Sequence, residues 1–139
     1  MAELHPLEHV TQELMTLFNI SMPPIPVESM LQHPKPDMWE EVDISQLSGT
    51  FLRITDRYSP RTSIARLLAR HIINSPWGSA HGLRELVRDE DTLHRFARML
   101  MMPASMIMEL GSSARTPMLI SLHFEVPEEE ARLRLDDLD

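Results

Sequence analysis

The chain has 139 residues, 42% hydrophobic and 24% charged, with 11 prolines and no cysteine. That length and balance predict one globular domain spanning 1–139, rather than a disordered or fibrous chain. The missing cysteines exclude disulfides, thiolate metal sites, iron–sulfur clusters and cysteine nucleophiles, so any chemistry rests on His, carboxylate or hydroxyl groups.

The formal net charge is −8, which argues against a protein whose main task is to neutralise phosphates, and no direct nucleic-acid partner is expected. Charge is uneven along the chain. Arg53 to Arg98 holds nine basic residues against five acidic ones, and the remainder holds four against sixteen. No stretch is long and apolar enough to span a membrane, and the opening MAELHPLEHV has neither a basic head nor an apolar run for export. A cytoplasmic protein without membrane association is expected.

In chain order, Leu4, Leu7, Val10, Leu14, Leu17 and Phe18 follow helical spacing and predict an amphipathic helix over about 4–18. Pro26 suits the start of a second, short helix with Val27, Met30 and Leu31 on its apolar face, ended by His33, Pro34 and Pro36. Asp37 to Ser48 reads as loop. Gly49 to Thr55, with Phe51, Leu52 and Ile54, predicts a short strand in a hairpin or small sheet.

Ser59 and Pro60 open a long helix, Ser59 as its cap, with Ile64, Leu67, Leu68, His71 and Ile72 as the apolar face. It closes at Asn74-Ser-Pro-Trp-Gly, and another short helix follows around Leu83 and Leu86. Asp89 to Met102 predicts a further helix, acidic at its start to suit the helix dipole, with Leu93, Phe96, Ala97, Leu100 and Met101 inward. Pro103 ends it. Ser105 to Leu110 makes one or two turns closed by Gly111, an apolar stretch runs from Pro117 to Phe124, and Pro127 starts a last helix with Ala131, Leu135 and Leu138 on one face. Met99, Met101, Met102, Met106 and Met108 read as packing residues that fill gaps in the core.

Three ordered segments carry a resemblance. Arg61-Thr-Ser-Ile-Ala-Arg-Leu-Leu-Ala-Arg-His-Ile-Ile-Asn74 lies without a gap over a helix of the form Arg-Phe-Thr-Leu-Ala-His-Glu-Leu-Gly-His-Tyr-Leu-Leu-His. Glu90-Asp-Thr-Leu-His-Arg-Phe-Ala-Arg-Met-Leu-Met-Met-Pro103 looks like Glu-x-x-Ala-Asn-x-Phe-Ala-x-x-Leu-Leu-Met-Pro, the most specific of the three. Leu122-His-Phe-Glu-Val-Pro-Glu-Glu-Glu-Ala-Arg-Leu-Arg-Leu135 is similar to a closing Leu-Ala-x-x-Phe-x-Val-Ser followed by a helix. Over about 20–135 the chain thus resembles the ImmA/IrrE family of zinc-dependent metallopeptidases. The resemblance implies an α+β fold, a mostly helical zincin-like domain with a small β-sheet or hairpin.

The chemical positions have changed. Where the family carries His-Glu-x-x-His, this chain has Arg66, Leu67 and Arg70, while Glu90 stands at the third metal-ligand position. Arginine stays protonated and has no acceptor lone pair, and leucine cannot take a proton from a metal-bound water. A member without catalytic residues, metal or other cofactor is implied. Arg66 and Arg70, four apart on one helical face, are expected to flank Glu90 as an Arg–Glu–Arg cluster where the metal would stand.

The alternatives are a relocated metal site on His71, Glu90 and His94, making a metallopeptidase, or a small-molecule binder using the vacated cleft. His5 and His9, four apart, read as surface residues. By the resemblance, the function is that of an inactive regulatory protein-binding module in bacterial or phage transcription control. Its partner is a helix-turn-helix repressor or another subunit.

Overall fold

The computed structural model describes residues 5–43 and 58–138. The strand expected at Gly49 to Thr55 lies outside them. Among the described residues the protein is mostly helical and contains no strand. No helix among them is long and apolar enough to cross a membrane.

Helix α1 spans Pro6–Leu17. The imidazole of His5 accepts the Leu7 N–H through Nδ1 at 3.1 Å, and Pro6 occupies a first-turn position that needs no donor. Asn19 turns left-handed at φ 57°, a conformation that asparagine tolerates, and lets the Ile20 N–H reach the Met15 carbonyl at 2.8 Å. The buried face of α1 is Leu7, Glu8, Thr11, Leu14 and Met15. Leu17, expected inside, is exposed. The buried Thr11 is satisfied because its hydroxyl donates to the Leu7 carbonyl at 2.8 Å.

Helix α2 spans Val27–Gln32 and α3 spans Ser59–Asn74. Ser59 lies inside α3 and Tyr58 takes the cap position. Because α3 packs against both α2 and α6 (Glu90–Met101), its inner surface is broader than a single stripe. Ala65, Ala69 and Ile73 join Ile64, Leu68 and Ile72 inside, whereas Leu67 and His71 are only partly buried. Arg61 ties this helix to its neighbours. Its Nη2 donates to the Ile25 carbonyl at 2.8 Å, its Nε to the Glu125 carbonyl at 3.1 Å, and its Nη1 to both Glu28 oxygens.

Two short helices, α4 (Pro76–Ala80) and α5 (Leu83–Leu86), return the chain to α6. Ser75 makes the corner, donating to the Ile72 carbonyl at 2.7 Å and accepting the Gly78 N–H at 3.0 Å. Gly78 then passes so close to the end of α3 that a Cβ would stand 2.1 Å from the Ile72 oxygen.

Asp89 caps α6, its carboxylate accepting from the Thr92 N–H at 2.8 Å and the Thr92 hydroxyl at 2.7 Å. The inner face of α6 is as expected, with Met99 added. Helix α7 (Ala104–Met108) and α8 (Pro117–Phe124) follow, then α9 (Glu128–Leu138) packs on α8 and α6. Four of the five clustered methionines are buried, and Met108 is exposed.

The last helix departs from its expected face. Ala131 is buried, but Leu135 and Leu138 are only partly so, and the fully buried residue is Arg134. Its Nη1 and Nη2 each meet a Glu8 oxygen at 2.6 Å, and its Nε donates to the Met102 carbonyl at 2.9 Å. One interior ion pair therefore joins α1, the end of α6 and α9.

Candidate functional site

Of the residues singled out from sequence, Arg70, Glu90 and His94 come together where α3 meets α6. Arg70, near the end of α3, meets Glu90, the first residue of α6, in a two-bond fork: Nη1 to Oε1 at 3.0 Å and Nη2 to Oε2 at 2.9 Å. The cap at Asp89 fixes where α6 begins and so places Glu90 opposite Arg70. Both side chains are well exposed, 49% and 64%. The Arg70 guanidinium, by its hydrogen bonds first and its charge next, holds the Glu90 carboxyl below the usual carboxylate range.

Arg66 does not complete the expected Arg–Glu–Arg cluster. Its Nη2 donates instead to Glu130 of α9 at 2.8 Å, and Arg98 of α6 reaches the other oxygen of Glu130 at 3.3 Å. The reason is the position of α9, which supplies a second carboxylate. Each arginine then has its own acid rather than sharing one. Asp137 lies farther along the same face, 3.6 Å from Arg95 and 3.9 Å from Arg98.

Sequence reasoning missed Glu130, Arg98 and Asp137. The available signal was Glu130 and Arg134 standing at the helical spacing of buried Ala131, where a charged residue needs a partner.

The set His71, Glu90 and His94 is not assembled. His94 Nε2 lies 3.5 Å from Glu90, but the ring of His71 faces Trp39, with centroids 5.9 Å apart. Among the described residues no group of three or more His, Asp or Glu is placed to hold a metal. The positions that the resemblance gives to zinc do not fit it: Arg66 and Arg70 offer only donors, Leu67 offers nothing, and both Glu90 oxygens are taken by Arg70. A cleft of about 290 Å³ adjoins the fork, with Ile73, Val87 and Leu93 as apolar lining and Arg70, Asn74, Arg88, Asp89 and Glu90 as polar lining.

No family model matches the chain, and no curated protein or solved structure matches it.

Three histidines give this region a pH response. Burial first, then Arg66, lowers the pKa of His94 below its usual 6.5, and burial alone lowers that of His71. Burial and Arg95 do the same for His5, whose Nδ1 must stay unprotonated to cap α1. The folded values lie below the unfolded ones, so the unfolded chain binds more protons as pH falls. This contribution is complete above about pH 6.5 and is lost as pH drops through the folded values. The thermal midpoint should fall between pH 7 and pH 5, with a shallower slope in a His71→Gln/His94→Gln variant. An unchanged slope in that variant contradicts the assignment.

Proposed function

We propose that the chain is a catalytically inactive ImmA/IrrE-like domain of zincin-like α+β fold, retained in bacterial or phage transcription control as a protein-binding module. Its partner is a helix-turn-helix repressor, which it binds without cutting. The observation that carries this reading is the Arg70–Glu90 fork: a guanidinium occupies the carboxylate that stands at the third metal-ligand position of the resemblance. A fixed cation there keeps the charge pairing of a metal site without a Lewis acid or a bound water to activate.

Loss of chemistry leaves the surface intact. A cleft with both polar and apolar lining adjoins the half-exposed Arg70, and Arg66 stands one turn back along α3. Such a surface can retain a peptide-like segment after the residues that attacked it have gone.

The test is to mix the purified chain with helix-turn-helix repressors, beginning with any encoded beside it, in the presence of zinc. The expected result is a stable complex containing intact repressor. Zinc-dependent cleavage of the repressor overturns the reading.

A further inference from the structure

Arg66 spends one nitrogen, Nη2, on Glu130, and its Nε and Nη1 have no partner among the described residues. Its side chain is 35% exposed. One turn farther along α3, Arg70 is paired among the described residues only with Glu90, the more exposed member of that pair. Arg66, Arg70, Arg95 and Arg98 stand against Glu90, Glu130 and Asp137, leaving this face one positive charge in surplus on a chain of net charge −8. His94 lies among these groups without adding charge near neutral pH, since burial and Arg66 lower its pKa.

An exposed ion pair contributes little to folding, so moving Glu90 aside costs little. A carboxylate brought by a partner and partly shielded from water gains more from the same fork. We propose that Arg66 and Arg70 form a receptor for a glutamate or aspartate side chain of a protein partner, with Glu90 as its internal occupant in the free chain. The incoming carboxylate displaces Glu90 from Arg70 and takes the open donors of Arg66. An apolar side chain next to it in the partner enters the cleft over Ile73, Val87 and Leu93. The proposal rests on the protein-binding reading and adds the chemistry of what is bound.

A single acid beside an apolar residue fits this face better than a nucleic acid. A run of phosphates along α6 would meet Asp89, Glu90 and Asp91 at its start.

The experiment is an NMR titration of the full chain with the N-acetylated, C-amidated peptide Gly-Leu-Glu-Leu-Gly, its equally capped Gly-Leu-Gln-Leu-Gly counterpart and a short oligothymidylate. The glutamate peptide is expected to bind, the glutamine peptide to bind at least about tenfold more weakly, and Glu90→Gln to tighten the glutamate peptide by about tenfold. Arg66→Gln/Arg70→Gln should abolish binding, Arg70→Lys should weaken it by removing the fork, and Arg84→Gln, on α5, should leave it unchanged. A dispersed spectrum for each variant shows that it has folded.

Equal binding of the two peptides, no gain in Glu90→Gln, or tighter binding of the oligothymidylate overturns the proposal. Its failure leaves the protein-binding reading standing. Repressor cleavage removes that reading whether or not the peptide binds.

Discussion

Replacing Glu8 with alanine should destabilise the protein by about 3–5 kcal/mol, because it strands a fully buried arginine. Arg134 is 0% exposed and Glu8 nearly so, and their two 2.6 Å contacts are supplemented by the bond to the Met102 carbonyl. Arg134→Ala should cost a similar amount by leaving the carboxylate unpaired. The double replacement Glu8→Leu/Arg134→Met should recover most of the loss, since the desolvation cost of both charges goes with them. Urea unfolding of the four proteins measures this cycle. Single variants that lose less than about 1 kcal/mol would show that the pair is not buried in solution.

Gly78→Ala should be the second severe change. Within a helix this exchange ordinarily stabilises, by about 1 kcal/mol. Here the added Cβ would lie 2.1 Å from the Ile72 oxygen and 2.8 Å from the Ile73 oxygen, and neither backbone atom can rotate away as a side chain would. The sign therefore reverses, and a loss of about 3 kcal/mol is expected, at the upper end for overpacking. Ala80→Ser, two residues on at an exposed position of the same helix, should stay within about 0.5 kcal/mol of the native protein. A Gly78→Ala protein as stable as the native one would contradict the close approach of α4 to the end of α3.

The elements that the sequence made legible are those with a strong period and a local stop signal. Helix α6 has both, with its inner face spaced from Leu93 to Met101 and Asp89 to begin it. For helix α1 the spacing gives the start to within two residues, but its inner face is rotated from the expected one. Glu8 and Thr11 are inside because of an ion pair and a local hydrogen bond, neither of which hydrophobic spacing detects.

Arg134 was illegible for the same reason. Within Glu-Glu-Glu-Ala-Arg-Leu-Arg it looks like a solvated charge, and its partner is 126 residues away.

The candidate site divides in the same manner. Arg70 and Glu90 were brought together by helical spacing and the alignment of two segments, and the structure pairs them. Helical spacing assigns Arg66 to the same acid, because nothing local announces that α9 delivers Glu130 from 64 residues away. His71 follows from geometry on one helix: one residue past Arg70 it faces a different side, toward Trp39.

The central claim, that Arg66, Leu67 and Arg70 stand where a metal site has been erased, has a direct test. Zinc content is measured for the native chain and for Arg66→His/Leu67→Glu/Arg70→His after dialysis against zinc and washing. The account predicts negligible zinc on the native protein and close to one zinc per chain on the folded variant, held by the two new histidines and the Glu90 released from Arg70. A folded variant that retains no zinc, or a native chain that retains one, would contradict it.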